Sequence, residues 1–302
     1  MKRIVIILYI LCNVTSLYSV EKKENTDNTF VTKQKRFIAA LFAQEKYFDS
    51  IAETGRLLQY SHNSSLVPEY TYFISLNYFL GGQYATVVNR TSGPACTKFQ
   101  TPIRNVLLRS RCFLKLGNTA QALSELDTIP YNTIGKKAGF ELFIRKTELL
   151  VLSDRYMEVL NEISRYETCT PGTEEIQSLR KDISRYNSLK RKSAALSVLL
   201  SAGMPGAGQA YCGKFSEALL SFAAVALSGA GTWYAMDRGE KSLGMTLGFF
   251  TVLLYSGNLY GAYNSAQSYN RHLYTAFRSG IVSTHIPDYD PSSYIDMKKV
   301  FK

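Results

Sequence analysis

The chain has 302 residues, with 35 Lys and Arg against 24 Asp and Glu for a formal net charge of +11, and a mean hydropathy of −0.10. That length holds one ordinary soluble domain and a small membrane unit. The near-neutral hydropathy excludes a polytopic transporter, so the apolar residues must sit in patches.

Residues 1–19 read as a secretory signal peptide, with Lys2 and Arg3, the apolar run Ile4 to Leu11 and the small, polar run Asn13 to Ser19. Ser19 with Leu17 two places before it makes a cleavage site; an uncleaved anchor helix is the competing reading. Leu11 before Cys12 disfavours lipidation. Loss of Lys2 and Arg3 leaves 33 basic residues against 24 acidic ones. Residues 20–31 are a linker. The cysteines at 96, 112, 169 and 212 match no metal-ligand spacing or Cys-x-x-Cys motif. A Cys96–Cys112 disulfide and four free thiols both fit the sequence.

From Phe37 to Arg185 apolar residues recur at intervals of three and four, with no competing period of two, which predicts an all-α region, its repeats lying within 32–165. Segments 40–51, 76–88, 111–123 and 148–160 line up, with Tyr47, Tyr84, Thr119 and Tyr156 equivalent and separated by 37, 35 and 37 residues. That spacing is near the ~34-residue period of helix-turn-helix repeats. Gly82 and Gly117 occupy the turn, replaced by Glu45 and Asp154 in the first and fourth copies. Ala122 is the small residue three after the turn-aromatic position of Tyr47, Tyr84, Thr119 and Tyr156, replaced elsewhere by Ser50, Val87 and Val159, and Pro68, Pro102 and Pro130 sit at helix starts or repeat ends.

The pattern resembles the tetratricopeptide repeat family in degenerate form; generic helical hairpins are the alternative. The resemblance implies stacked hairpins whose first helices line a concave face that holds a protein partner. Residues expected on that face are Tyr70, Asn77, Arg104, Arg111, Arg145 and Lys146, whereas Tyr72, Tyr78 and Phe113 are expected in the hairpin core.

Residues 166–192 read as a basic linking helix whose Arg180, Lys181, Arg185, Lys190, Arg191 and Lys192 point to anionic lipid headgroups. The export signal argues against nucleic acid. A membrane module follows over 193–272. Its half-helix, 193–203, is too short to span and is ended by Gly203 and Pro205-Gly206. Segments 216–235 and 243–265 are each close to the ~20 residues that cross the hydrocarbon, which predicts two antiparallel transmembrane helices.

A turn at membrane depth must satisfy its backbone internally, with Gln209 and Tyr211 as the expected partners. Gly257-x-x-x-Gly261 is the clearest small-residue pair for helix packing, and Glu217 is expected to snorkel or to pair with Lys214. The motif of Pro205, Gly206, Gly208, Gln209, Tyr211 and Gly213 resembles the signature of a family of small bacterial membrane domains. The match extends to Ala262-Tyr263-x-x-Ala266-x-x-Tyr269-Asn270. Residues 273–302 form a C-terminal tail.

No Gly-x-Ser-x-Gly, Walker loop or metal-ligand cluster appears, and His62, His272 and His285 fall in expected loop or tail. The expectation is therefore a non-enzymatic, membrane-anchored protein-binding adaptor without cofactor or metal, with a protein partner on the repeats and lipid headgroups at the basic helix. An accessory factor in membrane-protein insertion or envelope transport is the alternative, and an enzyme the third class. Basic residues outside both ends of the hairpin would hold the repeats in the cytoplasm, whereas the export signal places them in the periplasm at a bacterial inner membrane. The second is taken, because a signal acts first and long domains translocate largely regardless of charge.

Overall fold

The computed structural model describes residues 29–60, 66–92, 103–170 and 172–301. The expected signal peptide, most of the linker, Cys12, His62, Pro102 and the Cys96 half of the candidate disulfide lie outside them. Among the described residues the regular structure is helical throughout. The chain divides into two compact units.

The first unit runs to Ser153 and includes Thr168–Thr170 and residues 288–301. Its helices are α1 (29–43), α2 (Tyr47–Tyr60), α3 (Val67–Leu80), α4 (Tyr84–Thr91), α5 (Ile103–Lys115), α6 (Thr119–Asp127) and α7 (Lys136–Leu152). Pro68 stands in the first turn of α3, where its missing N–H removes no helical bond. Asn118 caps α6 by accepting from the Gln121 N–H at 3.1 Å.

The turns between paired helices share one backbone device. Glu45, Gly82 and Gly117 all have positive φ, at 59°, 76° and 79°. At each, the N–H of the left-handed residue and of its successor fold back onto the last helical carbonyls, as in Gly82 to Phe79 at 3.0 Å and Gln83 to Tyr78 at 2.8 Å. This satisfies carbonyls that the helix end leaves without partners. Asp154, the fourth position of the sequence alignment, has φ 57°.

Helices α3 and α7 carry no polar stripe. Residues 72–77 of α3 and 142–151 of α7 are buried without interruption. A helix apolar or covered all round is an interior helix. In α3 the cover comes from the core of Ile38, Leu57, Phe73, Leu76 and Leu108, joined by Ile295, Val300 and Phe301 from the far end of the chain.

The second unit spans Asp154–Glu167 and Pro171–Pro287. It holds α8 (Tyr156–Glu167), α9 (Glu174–Ser184), α10 (Ala194–Gly203), α11 (Ala207–Tyr211), α12 (Phe215–Asp237) and α13 (Lys241–His285). The repeat region expected to run to residue 165 thus loses its last helix to this unit. Tyr156 stacks on Tyr186 at 4.4 Å and on Phe277 at 5.2 Å, its hydroxyl donates to Asp154 at 3.0 Å, and Asp154 takes both Arg278 contacts at 2.6 and 2.7 Å.

Helices α12 and α13, of 23 and 45 residues, are long and apolar enough to cross a membrane. They form an antiparallel hairpin through a turn at Gly239, φ 80°. Helix α13 continues twenty residues past the expected end at 265. Its later part is held by side chains distant in sequence: Asn270 exchanges two hydrogen bonds with the Lys192 backbone at 2.8 and 2.9 Å, and His285 meets Asp182 at 2.9 Å. The short helix α14 (Met297–Phe301) closes the described chain within the first unit.

Candidate functional site

Two polar constellations stand out, one in each unit. In the first unit, α3, α5 and α7 bring Tyr70, Tyr72, Arg104, Arg111 and Arg145 against residues 289–301. Arg104 pairs with Glu69 at 2.6 Å, lies 4.7 Å over the Tyr72 ring and reaches the Tyr294 carbonyl at 3.5 Å. Arg111 pairs with Glu148, and Arg145 with Glu141 at 2.9 Å and Glu148 at 2.8 Å. Both guanidinium groups face the ring of Tyr289, at 5.9 and 5.5 Å from its centroid. A cation near an aromatic face gains about 0.5–2 kcal/mol, more as water is excluded.

The rest of the segment is held by backbone and aromatic contacts. The Tyr72 hydroxyl donates to the Pro291 carbonyl at 2.7 Å. Phe301 packs on Phe73 at 4.6 Å and on Tyr70 at 6.1 Å. Between Arg111, Arg145, Glu148 and Tyr289 only a void of about 10 Å³ remains, so the face is filled. Burial pushes up the phenols of Tyr72, Tyr289 and Tyr294. It also raises the Cys112 thiol to about 12.

Of the six residues expected on the partner face, Tyr70, Arg104, Arg111 and Arg145 therefore converge on one strip. Asn77 and Lys146 do not join it. Asn77 is buried and donates to the Phe73 carbonyl of its own helix at 2.8 Å. Lys146, 1% exposed, pairs with Asp127 at 2.8 Å and lies over Tyr131. Tyr289, Tyr294 and Phe301 were not expected on this face; the signal available was the aromatic and basic ending of the tail from Tyr289 to Lys302, which suits docking on a membrane or on a protein. Tyr72 is in the core as expected and also touches the segment.

In the second unit, the Pro205-Gly206 turn is built into a buried polar knot. Gly206 has φ 88°, and a Cβ there would lie 2.2 Å from the Ala218 carbonyl oxygen, so glycine is required twice over. Its N–H donates to Asn258 Oδ1 at 2.8 Å, and Asn258 Nδ2 returns a bond to the Ser201 carbonyl at 3.1 Å. The Gly208 N–H donates to Ser201 Oγ at 2.9 Å, and that hydroxyl donates to Gln209 Oε1 at 3.0 Å. Gln209 Nε2 donates to the Asn258 carbonyl at 3.2 Å and to Ser221 Oγ at 3.3 Å. Ser197 Oγ lies 2.8 Å from the Ala262 carbonyl and 3.0 Å from that of Gly208.

The turn's own N–H groups are thus taken by Asn258 and Ser201, and Gln209, expected to satisfy them, instead braces those two residues by bonding Ser201 Oγ and the Asn258 carbonyl. Tyr211 does not satisfy the turn either: its hydroxyl accepts from the Ser193 N–H at 3.4 Å, and its ring lies under Lys192 at 4.3 Å. Pro205 follows directly on the end of α10, and Gly213, φ 83°, turns the chain from α11 into α12. Glu217 pairs with Lys214 at 3.0 Å. Of the Gly257-x-x-x-Gly261 pair only Gly261 lies close to another helix, against the Gln209 side chain of α11, and neither meets a helix backbone. A Cβ at Gly257 would meet nothing within 4 Å, and one at Gly261 would meet only the Gln209 amide. Close approach occurs instead at Gly208 against Ser197 and at Gly244 against Met236. Asn258 was missed, although an amide inside an apolar span is a signal in itself.

The basic run of the linking region is largely engaged. Arg180 pairs with Glu167, Arg185 with Asp182, Arg191 lies over Tyr186 and Tyr274, and Lys192 over Tyr211 and Tyr269. No group of three or more His, Cys, Asp or Glu able to hold a metal occurs among the described residues. No protein-family model, curated protein or solved structure matches the chain.

Proposed function

We propose that the chain is a non-enzymatic scaffold of a bacterial inner membrane, anchored by the α12–α13 hairpin and presenting tetratricopeptide-like repeats to a protein partner on the periplasmic side. The observation that carries the anchor is exposure: Leu219, Leu220, Leu227 and Trp233 of α12 and Tyr260 of α13 are each 70% or more exposed, and Met245, Phe249 and Val252 of α13 are also exposed. Such a continuous apolar surface marks a membrane or protein contact. The binding role is supported by the strip of Arg104, Arg111 and Arg145, which already holds a segment of the chain with aromatic anchors, made of a 3-10 turn and a short helix. The cations around Tyr211, Tyr269 and Tyr274 suit the anionic headgroup zone.

An accessory role in membrane-protein insertion is the weaker reading. The polar groups around Gln209 and Asn258 bond to one another, as groups that fix a turn do, instead of opening toward a passing substrate.

Impermeant thiol labelling in intact cells tests the orientation. Cys112 is unsuitable as reporter because it is fully buried, whereas Cys169 is exposed. Single-cysteine chains carrying Cys169, or Arg238→Cys in the hairpin turn, are compared. Labelling of 169 and not 238 supports a periplasmic scaffold; the reverse moves the repeats to the cytoplasm, and labelling of both removes the spanning hairpin.

A further inference from the structure

We propose that residues 288–301 are a resident ligand of the arginine strip, and that the scaffold's partner is a short peptide segment of the same chemistry that binds by displacing it. That chemistry is two tyrosines five residues apart, a backbone carbonyl between them, and a phenylalanine seven residues further on. The inference rests on the scaffold reading and names the partner class for that same face.

The contacts are those of a bound peptide. Tyr72 reaches Pro291 across 219 residues of sequence, and the segment brings only a four-residue 3-10 turn, Pro291–Tyr294, and the five-residue α14 as structure of its own. Helical pieces that short are marginal on their own, so their order depends on the strip. The strip recognises rings and not net charge, because Arg104, Arg111 and Arg145 are each paired with a carboxylate of the repeats, from Glu69, Glu148 and Glu141. What those pairs leave open is the guanidinium face, which takes Tyr289, and the apolar floor of Tyr70 and Phe73, which takes Phe301. A competitor must therefore bring aromatic groups at matching spacing; acidic residues alone find the arginines already engaged.

The test uses the full chain and a chain ending at Pro287, both in the same detergent, with a fluorescein-labelled peptide of residues 287–302 followed by anisotropy. The shortened chain is expected to bind the peptide, the intact chain roughly tenfold or more weakly, since its own segment competes. A peptide carrying Tyr289→Ala and Phe301→Ala is expected to lose binding to the shortened chain, and one carrying Tyr289→Phe to keep it. Equal binding to both chains, or none to a shortened chain that keeps its helical circular dichroism, overturns the proposal.

Should the shortened chain lose that signal, hydrogen exchange on the intact chain decides. Amides of 288–301 exchanging roughly a hundredfold faster than those of α3 mark a segment that leaves on its own. Equal protection makes the segment part of the core and overturns the proposal. A protein partner captured equally by intact and shortened chains would sink the resident ligand and leave the scaffold standing, whereas the scaffold itself fails in the thiol-labelling experiment.

Discussion

A Cβ on Gly208 would lie 2.0 Å from the carbonyl oxygen of Ser197. No relaxation of a side chain relieves that contact, because the obstacle is backbone, and Ala262 Cβ stands 2.8 Å away on another side. Gly208→Ala should therefore drive α11 off α10 and α13 and lower stability by about 3 kcal/mol, the upper range for overpacking a filled interior. Gly257→Ala, with open space around it, should stay within about 0.5 kcal/mol of the parent. Thermal melting of the purified chains in detergent separates the two.

Asn258 holds the turn from the opposite helix. Asn258→Leu leaves the Gly206 N–H and the Ser201 carbonyl without that partner, and each orphaned buried group costs about 1–3 kcal/mol. The melting temperature should fall further than for Tyr211→Phe, which gives up a single long contact to the Ser193 N–H. Equal losses would mean that Asn258 does not pin the turn.

Among the described residues two that are not glycine, Glu45 and Asp154, hold left-handed turns, and they should respond in opposite ways to the same change. Glu45 is exposed, and Glu45→Gly relieves a conformation that costs an ordinary residue about 1 kcal/mol, so the first unit should gain roughly that much. Asp154→Gly relieves the same strain but removes both Arg278 contacts and the acceptor of the Tyr156 hydroxyl. A net loss is expected there, read by the same melting experiment.

Alkaline pH should weaken the first unit. Burial holds the Cys112 thiol at about 12 against an ordinary 9.0, and raises the Tyr72 phenol above its ordinary 10.0. Both stay protonated in the folded chain where the unfolded chain has released its protons. The unfolded state then binds fewer protons, so stability is intact below pH 9 and falls from there to about 12. The slope is at most about 1.4 kcal/mol per pH unit for each group. Cys112→Ala should flatten the part of the slope that begins near pH 9, measured by unfolding between pH 8 and 12.

The local features of this chain were legible and the long-range ones were not. The left-handed turns at 45, 82, 117 and 154 follow from repeat spacing, even where Glu and Asp replace glycine. The two apolar helices follow from composition, since 216–235 and 243–265 lie within Phe215–Asp237 and Lys241–His285. The extension of α13 to His285 was hidden because its supports, Lys192 for Asn270 and Asp182 for His285, lie roughly 80 and 100 residues away. The packing of Phe301 on Phe73 was hidden because its partner lies roughly 230 residues earlier in the chain. Asn77 and Lys146 share a helix with face residues, but whether a side chain turns to the strip or the hairpin interior depends on what the neighbouring helices offer, as Asp127 does for Lys146.

At about 1.5 Å per residue, the 45 residues of α13 make a rod of roughly 68 Å, against ~30 Å of hydrocarbon. More than half of that rod lies beyond any bilayer it crosses, and a continuous helix transmits rotation as well as distance. Inserting one alanine after Arg271 would move the His285 end only ~1.5 Å outward but swing it ~100° about the axis, whereas seven alanines would lengthen the rod by about 10 Å and nearly restore its phase. Asp182 would lose His285 in the first case for reasons of angle and in the second for reasons of reach. The register between the two ends of α13 is therefore set in whole helical turns, by angle as much as by length.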